Sequence, residues 1–312
     1  MPADFLNVIF NFEGAGNTLN FKSYGQAFSF SSYSLTNMIT FINDHFIEEE
    51  ASVLNIRDLS IQRGFAVFDF FRTRNYIPLF LNHYLDRFFN SAAMIGLQPL
   101  HTKEKLKGII NELIFRNKIS ETGFKMILTG GYSADSFEPA SPNFILQQQP
   151  LQLPAKEKFH KGINIILHEY MRDLPEIKST NYLMAIWLLN KMKQQKADEV
   201  LYVKDNRVLE FPRSNVFAVT KNQTVVTPDE NVLNGITRMM VLQLAEKKYK
   251  VEKRQVTIDE LLDAAEVFLT STTRRILPVL KINDQIISDG KPGAITVDLY
   301  NSFLKLEDEF CK

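Results

Sequence analysis

From Met38 onward the chain alternates between short apolar runs and amphipathic stripes. Over 39–50, apolar residues alternate on either side of Asn43-Asp44, which predicts a hairpin turning at that pair. Residues 61–74 are a mixed apolar run, and helices are predicted over 81–95 and 103–116. In the second helix Leu106, Ile109, Ile110 and Leu113 recur at i, i+3, i+4 and i+7, a core-facing stripe. Residues 123–128 and 143–147 read as strands. The run from Gln147 to Pro154 is polar, proline-punctuated and aperiodic, which marks a domain boundary. Beyond it, 163–168 reads as a buried strand and 182–196 as a helix carrying the only tryptophan, Trp187. Strands are predicted over 200–203, 208–210, 216–219 and 224–227, with tight turns at Asp205-Asn206 and Lys221-Asn222. One helix opens at Gly235 and another at Thr257, an N-cap followed by Asp259 and Glu260. Strands over 267–272 and 280–287 and a helix over 297–306 complete the pattern. The expectation is an α+β chain of two domains, 38–149 and 159–312, joined by a linker at 150–158.

Residues 1–37 have a different texture, rich in Phe, Ser, Asn and Gly and poor in charge. They lack the basic start, apolar centre and small-residue cleavage site of a secretory signal. The segment reads as an N-terminal extension, either a β arm on the body or a stretch upstream of the domain proper.

Composition narrows the function. The 312 residues carry 36 Lys+Arg against 36 Asp+Glu, a formal net charge of zero, and no basic cluster. Nucleic-acid binding, which needs a Lys/Arg stripe to neutralise phosphates, is not expected. No apolar run approaches the roughly 20 residues that cross a bilayer, so no membrane partner is expected. A single cysteine, Cys311, excludes an internal disulfide framework, a CxxC pair and a cysteine-based zinc site. With five histidines and no helical metal-ligand spacing, no metal is expected either. A soluble cytoplasmic protein is the expectation.

Four segments carry candidate chemistry. Lys178, in Ile177-Lys178-Ser179-Thr180-Asn181-Tyr182, sits at a helix entry. Such a lysine is ordinarily solvated, but a partly desolvated one is a nucleophile for carbonyl compounds. Glu210 is the lone polar residue of Val208-Leu209-Glu210-Phe211, and a carboxylate held among apolar neighbours calls for a cationic partner. Gly235-Ile236-Thr237 at a helix start offers N–H groups and a hydroxyl to an anion. Thr270-Ser271-Thr272 clusters hydroxyls at a strand end, where an ordinary turn is the commoner meaning.

In order and spacing, these segments together resemble the class IV aminotransferases, the fold-type IV pyridoxal-phosphate enzymes. That group holds branched-chain and D-amino-acid transaminases and aminodeoxychorismate lyase. The likeness spans most of 38–306. Arg63-Gly64-Phe65-Ala66-Val67-Phe68-Asp69 is similar to the family's Gly-Asp-Gly-Val-Phe-Glu segment, and His83-Tyr84-Leu85-Asp86-Arg87 to its His-x-x-Arg helix.

The resemblance implies a small α/β domain beside a larger, β-barrel-like domain with flanking helices. It implies pyridoxal 5'-phosphate as cofactor, bonded to Lys178, with Glu210 at its pyridine nitrogen and Tyr182 at its ring hydroxyl. It implies a phosphate seat of Arg87, Ile236, Thr237, Ser271 and Thr272. It also implies a homodimer that passes an amino group between an amino acid and a 2-oxo acid.

Departures concentrate where substrate is chosen. Asp69, Ala66, Pro212 and Arg213 replace family residues, and Asp135 and Phe137 stand where D-specific members have an Arg-x-His carboxylate trap. Phe68 and Phe137 are expected to form an apolar wall, Asp135 to repel a second carboxylate, and Arg213 or Arg274 to meet the substrate α-carboxylate. Hydrophobic L-amino donors are therefore expected, with 2-oxoglutarate as acceptor. The alternatives are D-amino-acid transamination, a lyase of the aminodeoxychorismate type and a silent relative.

Overall fold

The computed structural model describes residues 38–151 and 153–311. The reading of 1–37 lies outside them. The first sheet draws on β1 (Ile39–Ile42), β2 (His45–Glu48), β3 (Ala66–Arg74), β4 (Ile77–Pro78), β5 (Thr122–Thr129) and β6 (Phe144–Pro150), in the order β2-β1-β6-β5-β3-β4. Helices α1 (Leu59–Arg63), α2 (Leu81–Met94) and α3 (Lys103–Asn117) belong to the same part of the chain. All its pairings are antiparallel. The predicted hairpin is present, with Asn43 at a φ of 52° in its turn. The apolar stripe of α3 is buried at Leu106, Ile109, Ile110 and Leu113. Phe71 on β3 stacks on Phe124 of β5 with ring centroids 5.1 Å apart, both fully buried. Truncating either to alanine costs about 3–5 kcal/mol.

After α4 (Lys156–Lys161) the second sheet begins. Its main strands are β7 (Ile163–Glu169), β8 (Glu199–Lys204), β9 (Arg207–Val208), β10 (Asn215–Val219), β11 (Val225–Thr227), β12 (Val251–Lys253), β13 (Glu266–Ser271) and β14 (Arg275–Ile282). They run β12-β11-β10-β13-β14-β7-β8-β9, with β15 (Gln285–Ile286) paired to β14. The helices interleaved with them are α5 (Leu183–Trp187), α6 (Leu189–Gln194), α7 (Ile236–Ala245), α8 (Ile258–Leu262) and α9 (Ala294–Phe310). One apolar core is continuous from Phe71 and Phe124 through to Phe217 and Phe268, the second stacked pair.

Three predicted elements differ. The polar run expected from Gln147 to Pro154 begins as strand, β6 continuing to Pro150 in its ladder with β5. Buried Gln148 accepts a hydrogen bond there from Asn117 Nδ2 at 2.8 Å, while its Nε2 has no partner among the described residues. The helix α4 takes a further part of the expected 150–158 linker. The single helix expected over 182–196 is two short ones meeting at Leu188, since its apolar residues lie on all sides and give no single stripe to bury. The strand expected over 280–287 is the β14–β15 hairpin, turning at Asn283 with a φ of 50°.

Candidate active site

Strands β7 and β8 are parallel, so the chain between them must cross over. The crossover passes beside β3 of the other sheet. There Phe68 N–H donates to Lys178 O at 2.9 Å, Thr180 N–H to Ala66 O at 3.1 Å, and Lys178 N–H to Ser91 Oγ at 3.2 Å. Lys178 is thereby clamped between the two sheets. Its Nζ lies 4.6 Å from the centre of the Phe68 ring, and Tyr182 meets the same ring edge-on at 5.8 Å. Burial, with the Arg87 guanidinium nearby, lowers the Lys178 pKa to about 7. At neutral pH about half of such amines are unprotonated and nucleophilic. Burial also pushes the Tyr182 phenol up, keeping it a hydrogen-bond donor.

Glu210 follows β9 and is 5% exposed, in keeping with its apolar neighbours. Its cationic partner is Arg172, from the start of the crossover, whose Nε and Nη2 donate to Oε1 at 2.7 and 2.6 Å. Leu233 N–H donates to Oε2 at 2.9 Å. Burial raises the Glu210 pKa, opposed by Arg172 and the Leu233 N–H. Oε2 still has a lone pair for a protonated ring nitrogen. Arg172 was not legible as a site residue: it lies in an aperiodic loop, and nothing in the sequence links it to Glu210.

The anion seat forms where α7 begins. The first N–H groups of a helix have no intrahelical acceptor, and Gly235 is the N-cap of this one. A side chain at Gly235 would place Cβ 2.0 Å from Asn215 Oδ1, so glycine is what lets the backbone lie there. Thr237, Ser271, Thr272 and Arg87 face the same cavity, which Lys178, Tyr182, Glu210 and Ile236 also line. Arg87 is held by Asp69, which accepts from its Nε at 2.9 Å and its Nη2 at 2.6 Å. Asp69, a departure expected to bear on substrate, thus belongs to the phosphate side. Tyr84 OH and Thr272 Oγ1 are 2.9 Å apart and tie α2 to this seat. Thr270 Oγ1 and Ser214 Oγ, both on the cavity wall, are buried without a hydrogen-bond partner among the described residues.

The expected substrate residues divide. Phe68 packs beside Lys178 and Tyr182, and Arg213 lines the cavity with its side chain 67% exposed. Phe137 is 77% exposed and is not part of the wall. Asp135 is spent on building its own turn, accepting from the Phe137 and Glu138 N–H groups at 2.9 and 2.8 Å and from Ser133 Oγ at 2.9 Å. Arg274 is ion-paired to buried Glu199. A further cation that the sequence did not flag is half-buried Lys125 on β5, its Nζ 5.3 Å from the centre of the Phe68 ring.

Residues 66–282 match the amino-transferase class IV family, and this range contains all eight residues that the resemblance assigns to the cofactor. The chain belongs to the class IV aminotransferases. It is 34% identical over 277 residues to a D-alanine aminotransferase of Bacillus licheniformis, covering 86% of this chain and 98% of that one. It is 26% identical to a putative branched-chain-amino-acid aminotransferase of Methanocaldococcus jannaschii, covering 85% and 96%. In fold it is similar to a branched-chain amino acid aminotransferase of T.th. solved with pyridoxamine 5'-phosphate, at a TM-score of 0.80, 23% identity and coverage of 86% and 93%. A hypothetical aminotransferase from Mycobacterium tuberculosis in its PLP-bound form gives 0.72 at 20% identity, covering 85% and 98%. As a class IV aminotransferase the chain is a pyridoxal-phosphate enzyme of the fold-type IV architecture. Its residues fit that cofactor: an amine of lowered pKa, a buried carboxylate and a helix-start anion seat share one cavity, with two unpartnered hydroxyls on its wall.

Proposed function

We propose that this aminotransferase holds the cofactor's carbonyl carbon with Lys178, its pyridine nitrogen with Glu210 and its ring hydroxyl with Tyr182. Arg87, Ile236, Thr237, Ser271 and Thr272 take the phosphate. The bound cofactor supplies an electron sink for the charge that develops when the substrate Cα–H is broken. The neutral Lys178 amine moves that proton, and Glu210, with Arg172 beside it, holds the ring nitrogen's proton. The observation that carries this reading is the single cavity in which Lys178, Glu210 and the start of α7 converge.

For the donor, a D-amino acid of the alanine type is the favoured reading. The relatives of higher identity are D-alanine aminotransferases, and Phe137, exposed in the single chain, lends the L-hydrophobic reading no support. Arg213 meets the α-carboxylate in place of the missing Arg-x-His trap. Hydrophobic L-donors are the second reading, supported by the Phe68–Tyr182 edge. Lys125 beside Phe68 suits the second carboxylate of 2-oxoglutarate. Side-by-side rates with D-alanine, D-glutamate and L-leucine decide: faster D-alanine supports the first reading, faster L-leucine the second. Pyruvate released from aminodeoxychorismate without an acceptor would indicate a lyase instead.

The proposal extends to a cytoplasmic homodimer. Leu183, Ile186 and Trp187 on α5, at 78%, 65% and 67% exposure, form an apolar face next to Tyr182 that a second copy would cover.

A further inference from the structure

Three arginines around the cavity are each matched to a buried carboxylate: Arg87 to Asp69, Arg172 to Glu210 and Arg274 to Glu199. Arg213 is different. Its Nη2 lies 3.9 Å from the same Glu199 Oε2 that Arg274 holds, and its side chain remains largely exposed at the cavity edge. Glu199, the first residue of β8, is 3% exposed, and its other oxygen accepts the Val200 N–H at 3.3 Å. Arg274 follows Thr272 by two residues, and its N–H donates to Ser271 Oγ at 3.2 Å, so this pair sits directly behind the anion seat.

One carboxylate thus faces two guanidiniums. The close partner, Arg274, is neutralised. The remote one, Arg213, keeps an unmatched charge on the side that faces the cavity.

We propose that Glu199 is a positioning residue that sets the charge offered to the substrate: it neutralises Arg274 and steadies Arg213 from behind, so this edge presents one cation rather than two. This inference rests on the reading of Arg213 as the substrate's carboxylate partner. It makes Glu199 a determinant of selectivity between acids with one carboxylate and acids with two. An added unmatched cation attracts a dianion more strongly than a monoanion, and a lost one weakens the dianion more.

The test compares pyruvate with 2-oxoglutarate as acceptors in the cofactor-loaded protein. Glu199→Gln leaves two unmatched guanidiniums. It should raise the ratio of kcat/KM for 2-oxoglutarate over pyruvate by roughly three- to tenfold, through KM with kcat held. Arg274→Gln leaves Glu199 facing Arg213 alone and should shift the ratio the opposite way. Combining the two substitutions should return it to the wild-type value. Arg274 is only partly buried, so its variant remains informative if Glu199→Gln fails to fold. Succinate and propionate binding, read from the cofactor's absorption, should follow the same order without turnover. Both single variants moving the ratio in one direction, or neither moving it, would overturn the role of Glu199. Unchanged carboxylate affinity in Arg213→Ala would instead remove Arg213 from the substrate reading, and the inference with it. A wild-type chain that transfers no amino group would fail at the level of the reaction itself.

Discussion

Arg172 directs two donors to one oxygen of Glu210, at 2.7 and 2.6 Å, and leaves the other oxygen to the Leu233 N–H at 2.9 Å. The side chains are 17% and 6% exposed, so water does little to screen the pair. Removing the arginine alone strands a buried carboxylate, which costs about 3–5 kcal/mol when no other cation takes over.

Arg172→Met is therefore expected to lower stability by that amount in urea denaturation of the cofactor-free chain. Glu210→Gln should cost less, and the double variant less than the sum of the two. Glu210→Gln should retain cofactor yet lose most turnover, because a neutral amide no longer favours a proton on the ring nitrogen. Near wild-type turnover in Glu210→Gln would take that carboxylate out of the mechanism.

The Lys178 amine titrates near pH 7, against the usual 10.5, because burial and Arg87 disfavour its charged form. The reactive species is the neutral amine, present above the pKa and lost below it. Uptake of pyridoxal phosphate by the cofactor-free protein should thus accelerate from about pH 6 to 8 and level off above. A rate that keeps climbing past about pH 9 would show an unperturbed lysine. Lys178→Ala should give a colourless, inactive protein, and borohydride followed by peptide mapping should place the cofactor on Lys178 in the parent.

Gly235→Ala probes the phosphate seat. Its new Cβ would fall 2.0 Å from Asn215 Oδ1, so the start of α7 or the asparagine must move. Because Asn215 Nδ2 also donates to Leu233 O at 2.8 Å, the shift passes into the loop whose N–H supports Glu210. Displacing a well-packed group costs about 1–3 kcal/mol. Cofactor affinity should fall roughly tenfold or more in equilibrium dialysis, with the melting temperature of the cofactor-free chain changed less.

The apolar face on α5 gives a simple outcome. Leu183→Glu and Trp187→Glu should convert a dimer to monomers in sedimentation velocity, with a fall in activity since Tyr182 adjoins that face. Unchanged sedimentation would place the contact between copies elsewhere.

Legibility in the sequence followed the physics of each part. Helix α3 was readable because its apolar stripe has the helical period, and the hairpin because Asn43-Asp44 tolerates a positive φ. Glu210 stood out as the lone polar residue among apolar neighbours, whereas Lys178 and Gly235 stood out through the order and spacing that resemble the family. Arg172 did not, since its importance arises from a contact across 38 positions of chain, and Asp69 stood out only as a departure from the family segment, its partner Arg87 lying 18 positions on. Asp135, read as a charge near the substrate, also builds its own turn through hydrogen bonds to residues two and three positions on, which lower its pKa and keep it an anion.

The most direct test of the central claim follows the amino nitrogen itself. The cofactor-loaded protein is given a ¹⁵N-labelled amino acid and an unlabelled 2-oxo acid, and the products are read by mass spectrometry, alongside Lys178→Ala. The account predicts ¹⁵N in the amino acid formed from the acceptor, and none with Lys178→Ala. Label recovered only as ammonia, or transfer undiminished in Lys178→Ala, would contradict it.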